Sequence, residues 1–195
     1  MINKKQILLR KMLHIGLMVP FSIYWYLRFI VVNEIYANYF IVTVLILFLV
    51  YEYIRLDLNK KIIFHTFVKE KEKSTPVDGL NLVLSGILVS LLFEPRISIL
   101  AILIAIIGDA VATLGGLYGK HKVFEGKNKT TYEGIVLTFL VNLFLSTIIL
   151  KYIWISVIIS IIAVIIESMV QKIDDNLVIP IVIAYISHIL INIIN

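Results

Sequence analysis

The stretch Ile97-Ser98-Ile99-Leu100-Ala101-Ile102-Leu103-Ile104-Ala105-Ile106-Ile107-Gly108-Asp109-Ala110-Val111-Ala112-Thr113-Leu114 decides how the chain is read. It is long enough to cross a bilayer, which takes about 17 to 25 residues in a helix. It is predominantly apolar and carries a single charge, Asp109, near its end. An ionisable group in such a run is costly to bury, so Asp109 is a functional candidate from the outset. The alternative is a protonated Asp making an interhelical hydrogen bond.

Working outward, similar apolar runs fall at Ile15 to Val32, Tyr36 to Ile54, Gly79 to Phe93, Gly134 to Leu150, Tyr152 to Val170 and Leu177 to Ile194. Hydrophobic residues make up 60% of the 195 residues and mean hydropathy is +0.98, whereas a soluble domain has an apolar share of roughly 45 to 50%. The expectation is an all-α, polytopic membrane helix bundle of about seven transmembrane helices, forming a single domain over residues 1–195. The run Gly79 to Phe93 is short for a span. The first run is too long for a signal peptide and lacks an A-x-A-like cleavage site, so it reads as a retained helix.

Charge sets the orientation. With the amino terminus inside, only Arg28, Arg96 and Lys151 of the 18 Lys and Arg residues lie on the outer side. That bias satisfies the positive-inside rule and predicts a cytoplasmic amino terminus and an external carboxyl terminus. It also accounts for the formal charge of +5 without a nucleic-acid partner. Two inner loops are long, Arg55 to Asp78 and Gly115 to Glu133, while outer connections such as Glu94-Pro95-Arg96 are short. The absence of cysteine excludes disulfides and thiolate metal sites, so a metal would be held by oxygen or imidazole, and carboxylates point to Mg²⁺ or a similar hard cation.

The remaining charged motifs gather on the inner side. Arg10-Lys11-x-x-His14 puts Arg10 and His14 on one helix face with Lys11 beside them, suited to phosphate oxygens or to a basic anchor at the interface. Glu52 and Arg55 are three apart, the spacing of a local salt bridge. Around Asp109, the small residues Ala105, Gly108, Ala112 and Gly116 recur at helical spacing and permit close helix approach. Next come Gly115, Gly116, Gly119 and Lys120, then Lys127, Lys129, Thr130 and Thr131: glycines admit a ligand to the backbone, and Lys and Thr donate to phosphate. The Walker A spacing is missing.

Glu167, Gln171 and Asp174 fall at helical spacing, followed by Asp175 and Asn176. Clustered carboxylates repel unless they share a cation; the same Asp and Asn residues also suit a helix cap, with Pro180 in the first turn beyond. His65 and His121 read as loop residues, and His188 as a hydrogen-bonding group within the bundle.

Taken in order, Arg10-Lys11-x-x-His14, Glu52-x-x-Arg55, Gly108-Asp109-Ala110-x-Ala112 with Gly116 and Gly119-Lys120, Thr131-x-Glu133-Gly134, and Glu167 with Asp174-Asp175-Asn176-Leu177-x-Ile179-Pro180 resemble the CTP-dependent polyprenol kinase family. That family includes dolichol kinase, phytol kinase and the CTP-dependent diacylglycerol kinase of yeast type. The resemblance spans about residues 8 to 182. One departure is an extra residue in the family's Lys-[Ser/Thr]-x-Glu-Gly, present here as Lys129-Thr130-Thr131-Tyr132-Glu133-Gly134, which leaves open which Thr takes the family role.

The resemblance implies transfer of the γ-phosphate of CTP to an isoprenoid alcohol such as dolichol, polyprenol, geranylgeraniol or phytol, at the cytoplasmic face. Asp109, Glu167, Asp174 and Asp175 would hold the cation. Arg10, Lys11, Gly116, Gly119, Lys120, Lys127, Lys129, Thr130, Thr131 and Asn176 would contact the nucleotide, and Asp109, Glu133 and His14 would serve catalysis. A diacylglycerol acceptor, a cytidylyltransferase making a CDP-lipid, and a small transporter are the alternatives. The transporter would want polar residues at midplane or on both faces. The sequence leaves the oligomeric state open.

Overall fold

The architecture follows from helices with lipid-compatible exteriors and one strongly buried helix between them. The computed structural model describes residues 4–56, 77–123, 131–169 and 174–194, and these contain no strand, only an isolated antiparallel bridge between Lys122 and Thr131. In chain order the helices are α1 (Lys4–Gly16), α2 (Met18–Trp25) with a π-helical turn Tyr26–Ile30, α3 (Glu34–Leu56), α4 (Asp78–Leu92), α5 (Pro95–Leu103), a second π turn Ile104–Gly108, α6 (Asp109–Tyr118), α7 (Tyr132–Leu150), α8 (Ile153–Met169) and α9 (Asp175–Ile194).

Among the described residues, five helical stretches are long and apolar enough to cross a membrane: Ile7–Ile30, Glu34–Leu56, Pro95–Tyr118, Tyr132–Leu150 and Asp175–Ile194. Gly79–Leu92 and Ile153–Ser168 are apolar but shorter. The stretch that opens the sequence argument becomes the central element. In Pro95–Tyr118 61% of the apolar window is buried, against 28% or less in the other four. Leu100, Ala101, Ile102, Ile104, Ala105 and Ile106 are essentially inaccessible. The helices α4, α7 and α9 pack around α5, and α8 lies against α7 and α9. By contrast α3 buries Ala37 and Ile41 but leaves Val42, Ile46, Leu47, Leu49 and Val50 on the outside. Such a surface is stable only against hydrocarbon or a partner of the same kind, and the helix satisfies its own backbone there.

Several boundaries differ from those expected. The first helical stretch begins well before Ile15, so Arg10, Lys11 and His14 stand on α1 itself. The helix after Asp109 continues to Tyr118, closed by Gly119 N–H donating to Gly115 O at 2.7 Å; the loop therefore starts at Gly119, not Gly115. Glu167 belongs to α8, whereas Asp174 directly precedes α9, so they do not share a helix face. Pro180 lies inside α9, beyond its first turn. Most of the loop Arg55 to Asp78 lies outside the described residues.

Turn chemistry explains the tight connections. Pro95 occupies the first turn of α5, where its missing N–H costs nothing. Lys151 closes α7 in the left-handed conformation, φ 64°, and with Tyr152 makes the whole link to α8. Thr131 caps α7 by accepting from Gly134 N–H at 3.1 Å.

Candidate functional site

The site is assembled at the junction between the second π turn and α6. A π turn inserts an extra residue into the helix and is often found at functional positions. Here it ends at Gly108, so Asp109 opens α6. Gly108 lies against α7: a Cβ there would stand 3.1 Å from Asn142 Oδ1. Seven residues on, Gly115 meets α7 again, where a Cβ would come within 2.2 Å of the Gly134 Cα. The close-approach face is therefore Gly108 and Gly115. The two are two α-helical turns apart, and of the series Ala105, Gly108, Ala112 and Gly116 that the sequence suggests this face includes Gly108.

Asp109 is 6% exposed and receives charge from α1. Lys11 Nζ donates to Asp109 Oδ2, and His14 Nε2 lies 3.7 Å from the same oxygen. Lys11 and His14 are one helical turn apart, which lets both reach one carboxylate. Arg10, half-buried, precedes them on α1. An ion pair in this setting offsets the desolvation of both groups but leaves little net gain.

Two further carboxylates converge from other helices. Oxygens of Asp109, Glu167 and Asp175 lie within 4.8 Å of one another. Asp174 is not in that group; its carboxylate accepts from Asn176 N–H at 3.0 Å, as Asp175 Oδ1 also does. Of the two bland and functional readings of this segment, Asp174 takes the helix-start role, and Asp175 shares it while also facing Asp109 and Glu167. Asn176 is 3% exposed and donates through Nδ2 to Asp175, and its carbonyl accepts from Ser85 Oγ at 2.7 Å, which fixes the start of α9 against α4.

This donor set fits a hard divalent cation. Opposite ligands span about 4.2 Å across Mg²⁺ and about 5 Å across Ca²⁺, so three oxygens within 4.8 Å of one another could share one such ion. The side-chain oxygen of buried Asn176 has no hydrogen-bond partner, so a fourth oxygen stands next to Asp175. All four are oxygen donors, the kind a hard cation prefers.

The Gly and Lys segment is organised differently. Glu133 accepts from Lys120 N–H at 3.1 Å and from His121 N–H at 3.3 Å, and pairs with His121 Nδ1 at 2.7 Å. Thr131 donates to Gly115 O at 2.9 Å, and Gly119 lies so close to Thr131 that a Cβ would meet its Oγ1 at 2.3 Å. Glu133 and Thr131 thus hold the ends of the loop together, and Gly119 serves that closure. Gly116 is half-buried on α6 and Lys120 is exposed. Lys127, Lys129 and Thr130, expected at phosphate, lie outside the described residues, as do Gln171 and His65. His121 is more than a loop residue, being the side-chain partner of Glu133. His188 Nε2 accepts from Asn192 Nδ2 at 3.0 Å within α9.

Sequence reasoning missed one functional neighbour. Asn142, 1% exposed, abuts the residue before Asp109, and Gly134, Thr138, Asn142 and Ser146 are all buried on one face of α7. The signal was present, since these residues recur every four positions in an otherwise apolar run.

Glu52 and Arg55 are 4% and 7% exposed, with Arg55 Nε donating to Glu52 Oε2 at 3.2 Å. This is a buried pair, not a solvated surface one. Removing one member of such a pair costs about 3–5 kcal/mol, while replacing both is often close to neutral. Arg55→Met is therefore expected to lower thermal stability in detergent clearly, and Glu52→Gln with Arg55→Met to recover much of it. Equal melting of the single variant and the parent would mean that the pair is solvated.

Comparison with protein-family models, with curated proteins and with solved structures finds no match to this chain.

Proposed function

We propose that this chain is an integral-membrane kinase that transfers the γ-phosphate of CTP to the hydroxyl of an isoprenoid alcohol, with its active site at the cytoplasmic end of the bundle. The observation that carries the reading is the convergence of Asp109, Glu167 and Asp175 with Lys11 and His14. These residues come from α1, α6, α8 and α9, and they belong to three of the five segments on which the resemblance to polyprenol kinases rests. The topology proposed with it has seven crossings, the two shorter apolar helices included, with the amino terminus inside, in keeping with the distribution of Lys and Arg.

Phosphoryl transfer demands positioning and charge neutralisation more than covalent chemistry from the protein. The carboxylates of Asp109, Glu167 and Asp175, with the Asn176 side-chain oxygen, would hold Mg²⁺, which when bound neutralises charge on the phosphate oxygens. Arg10 and Lys11 supply positive charge to the triphosphate from α1. His14, aimed at the same point, accepts the proton of the acceptor hydroxyl. Glu133 shapes the loop that follows α6. The acceptor's apolar tail would lie against the apolar exterior of the helices, leaving its hydroxyl at the interface.

The direct test incubates purified protein with Mg²⁺, a panel of prenols and diacylglycerol, and CTP labelled at either the γ- or the α-phosphate. Label entering a prenol from the γ position only is the expected result. Label from γ on diacylglycerol alone would replace the acceptor, label from α would replace the reaction with cytidylyl transfer, and no label from CTP or ATP would end the kinase reading.

A further inference from the structure

The cation nearest the carboxylate group is one the chain provides itself. Lys11 Nζ is bonded to Asp109 Oδ2, the carboxylate whose oxygens lie within 4.8 Å of those of Glu167 and Asp175. Three carboxylates at such separations repel strongly in a medium of low dielectric constant, and an ammonium among them relieves part of that repulsion. The Lys11 side chain is 19% exposed and that of Asp109 8% exposed, so neither charge has much water to fall back on.

We infer that Lys11 is an exchangeable counter-ion: it holds Asp109 while the carboxylates lack a divalent cation, and it moves to a phosphate oxygen of the nucleotide when that cation is bound. This rests on the metal-dependent reading above and adds an order to it. A divalent ion and the Lys11 ammonium compete for the same Asp109 oxygen. Lysine suits the exchange because its charge sits on a flexible four-carbon stem with three rotatable donors, so Nζ can swing by several ångströms while α1 stays in place. The released ammonium has no carboxylate left to itself, and a triphosphate brought to the metal is the nearest anion. Metal and polyphosphate binding are then coupled positively, and by linkage each tightens the other.

The exchange predicts a change in the chemistry of one amine. Purified protein in detergent is treated briefly with acetic anhydride, and acetylation of Lys11 is read by mass spectrometry, with exposed Lys151 at the far end of α7 as the control. Mn²⁺ binding is followed in the same samples by loss of the free-ion electron paramagnetic resonance signal. Lys11 labelling is expected to rise several-fold when Mn²⁺ binds and to fall again when inorganic tripolyphosphate is added with Mn²⁺ kept in excess, Lys151 being unchanged throughout. Lys11→Met should bind Mn²⁺ more tightly than the parent, a gain that misfolding could not produce, and should show a weaker mutual tightening with tripolyphosphate, since only the direct metal–phosphate attraction remains. Mn²⁺ bound with Lys11 labelling flat, or labelling that rises but ignores tripolyphosphate, would overturn the exchange while leaving the metal site standing. No Mn²⁺ binding to either protein would overturn the metal site and the exchange with it.

Discussion

Asp109→Asn is expected to abolish phosphoryl transfer while the protein remains folded in detergent. The substitution keeps the shape of a side chain that is 6% exposed and removes one negative charge from the point where Lys11, His14, Glu167 and Asp175 meet. Removing a single preorganised electrostatic group from an active site typically costs on the order of 10²–10³ in rate, and a shared metal ligand belongs at or beyond the top of that range. The fold has reason to survive, because Glu167 remains beside the site to face Lys11, and the closest backbone contact of α6 lies two turns away at Gly115. Asp174→Asn provides the contrast: Asp174 lies at the start of α9 outside the three-carboxylate group, so its loss should change turnover much less. Transfer rates compared at saturating CTP, with melting curves for both variants, check the pair. Retained activity in Asp109→Asn would remove Asp109 from the cation site, and equal losses in the two variants would show that the group extends to Asp174.

How much of this was legible in the sequence differs residue by residue. The helical class, with several runs long and apolar enough to cross a membrane, and the candidacy of Asp109 were plain, because an ionisable group inside such a run needs a reason; that the stretch around it would be the most buried helix was not. That Lys11 and His14 belong with Asp109 was suggested only by their common end of the bundle; 98 residues separate Lys11 from Asp109, and no local pattern sets the rotation of α1. The i, i+3 spacing of Glu52 and Arg55 gave the salt bridge, but burial depends on what covers the end of α3, which spacing does not encode. The division of labour between Asp174 and Asp175 was also hidden. Adjacent residues at a helix start point in different directions, so one faces α6 and α8 while its neighbour does not join that group. The π turn was the least readable feature. Nothing in Ile104-Ala105-Ile106-Ile107-Gly108 announces an extra residue in the turn, yet the insertion sets the rotation with which α6, opened by Asp109, continues from α5.

Gly115→Ala should be strongly damaging, and Gly134→Ala should be far milder although the two glycines touch. At Gly115 the added carbon would lie 2.2 Å from the Gly134 Cα and 3.0 Å from its N, both backbone atoms of a helix that cannot yield by rotating a side chain. At Gly134 the nearest atoms would be Thr131 Oγ1 at 3.1 Å and Gly115 C at 3.2 Å, a squeeze that shifts of a few tenths of an ångström relieve. Overpacking a well-filled interior costs typically about 1–3 kcal/mol, and a backbone collision that must separate two helices belongs at or above the upper figure. The damage would not stop at stability. The contact locks α6 to α7, and Thr131 bonds across it to Gly115 O, so parting the helices moves Asp109 relative to Asn142 on one side and loosens the Glu133 closure on the other. Thermal unfolding of both variants in detergent, with transfer rates measured well below the transition, checks this. The expected order is parent, then Gly134→Ala close behind, then Gly115→Ala with both melting temperature and turnover reduced. Equal behaviour of the two alanine variants would mean that α6 and α7 cross with more room than the geometry gives them. Cation binding would then depend on that crossing less than the geometry implies, through Asp109 alone, since Glu167 and Asp175 lie on α8 and α9.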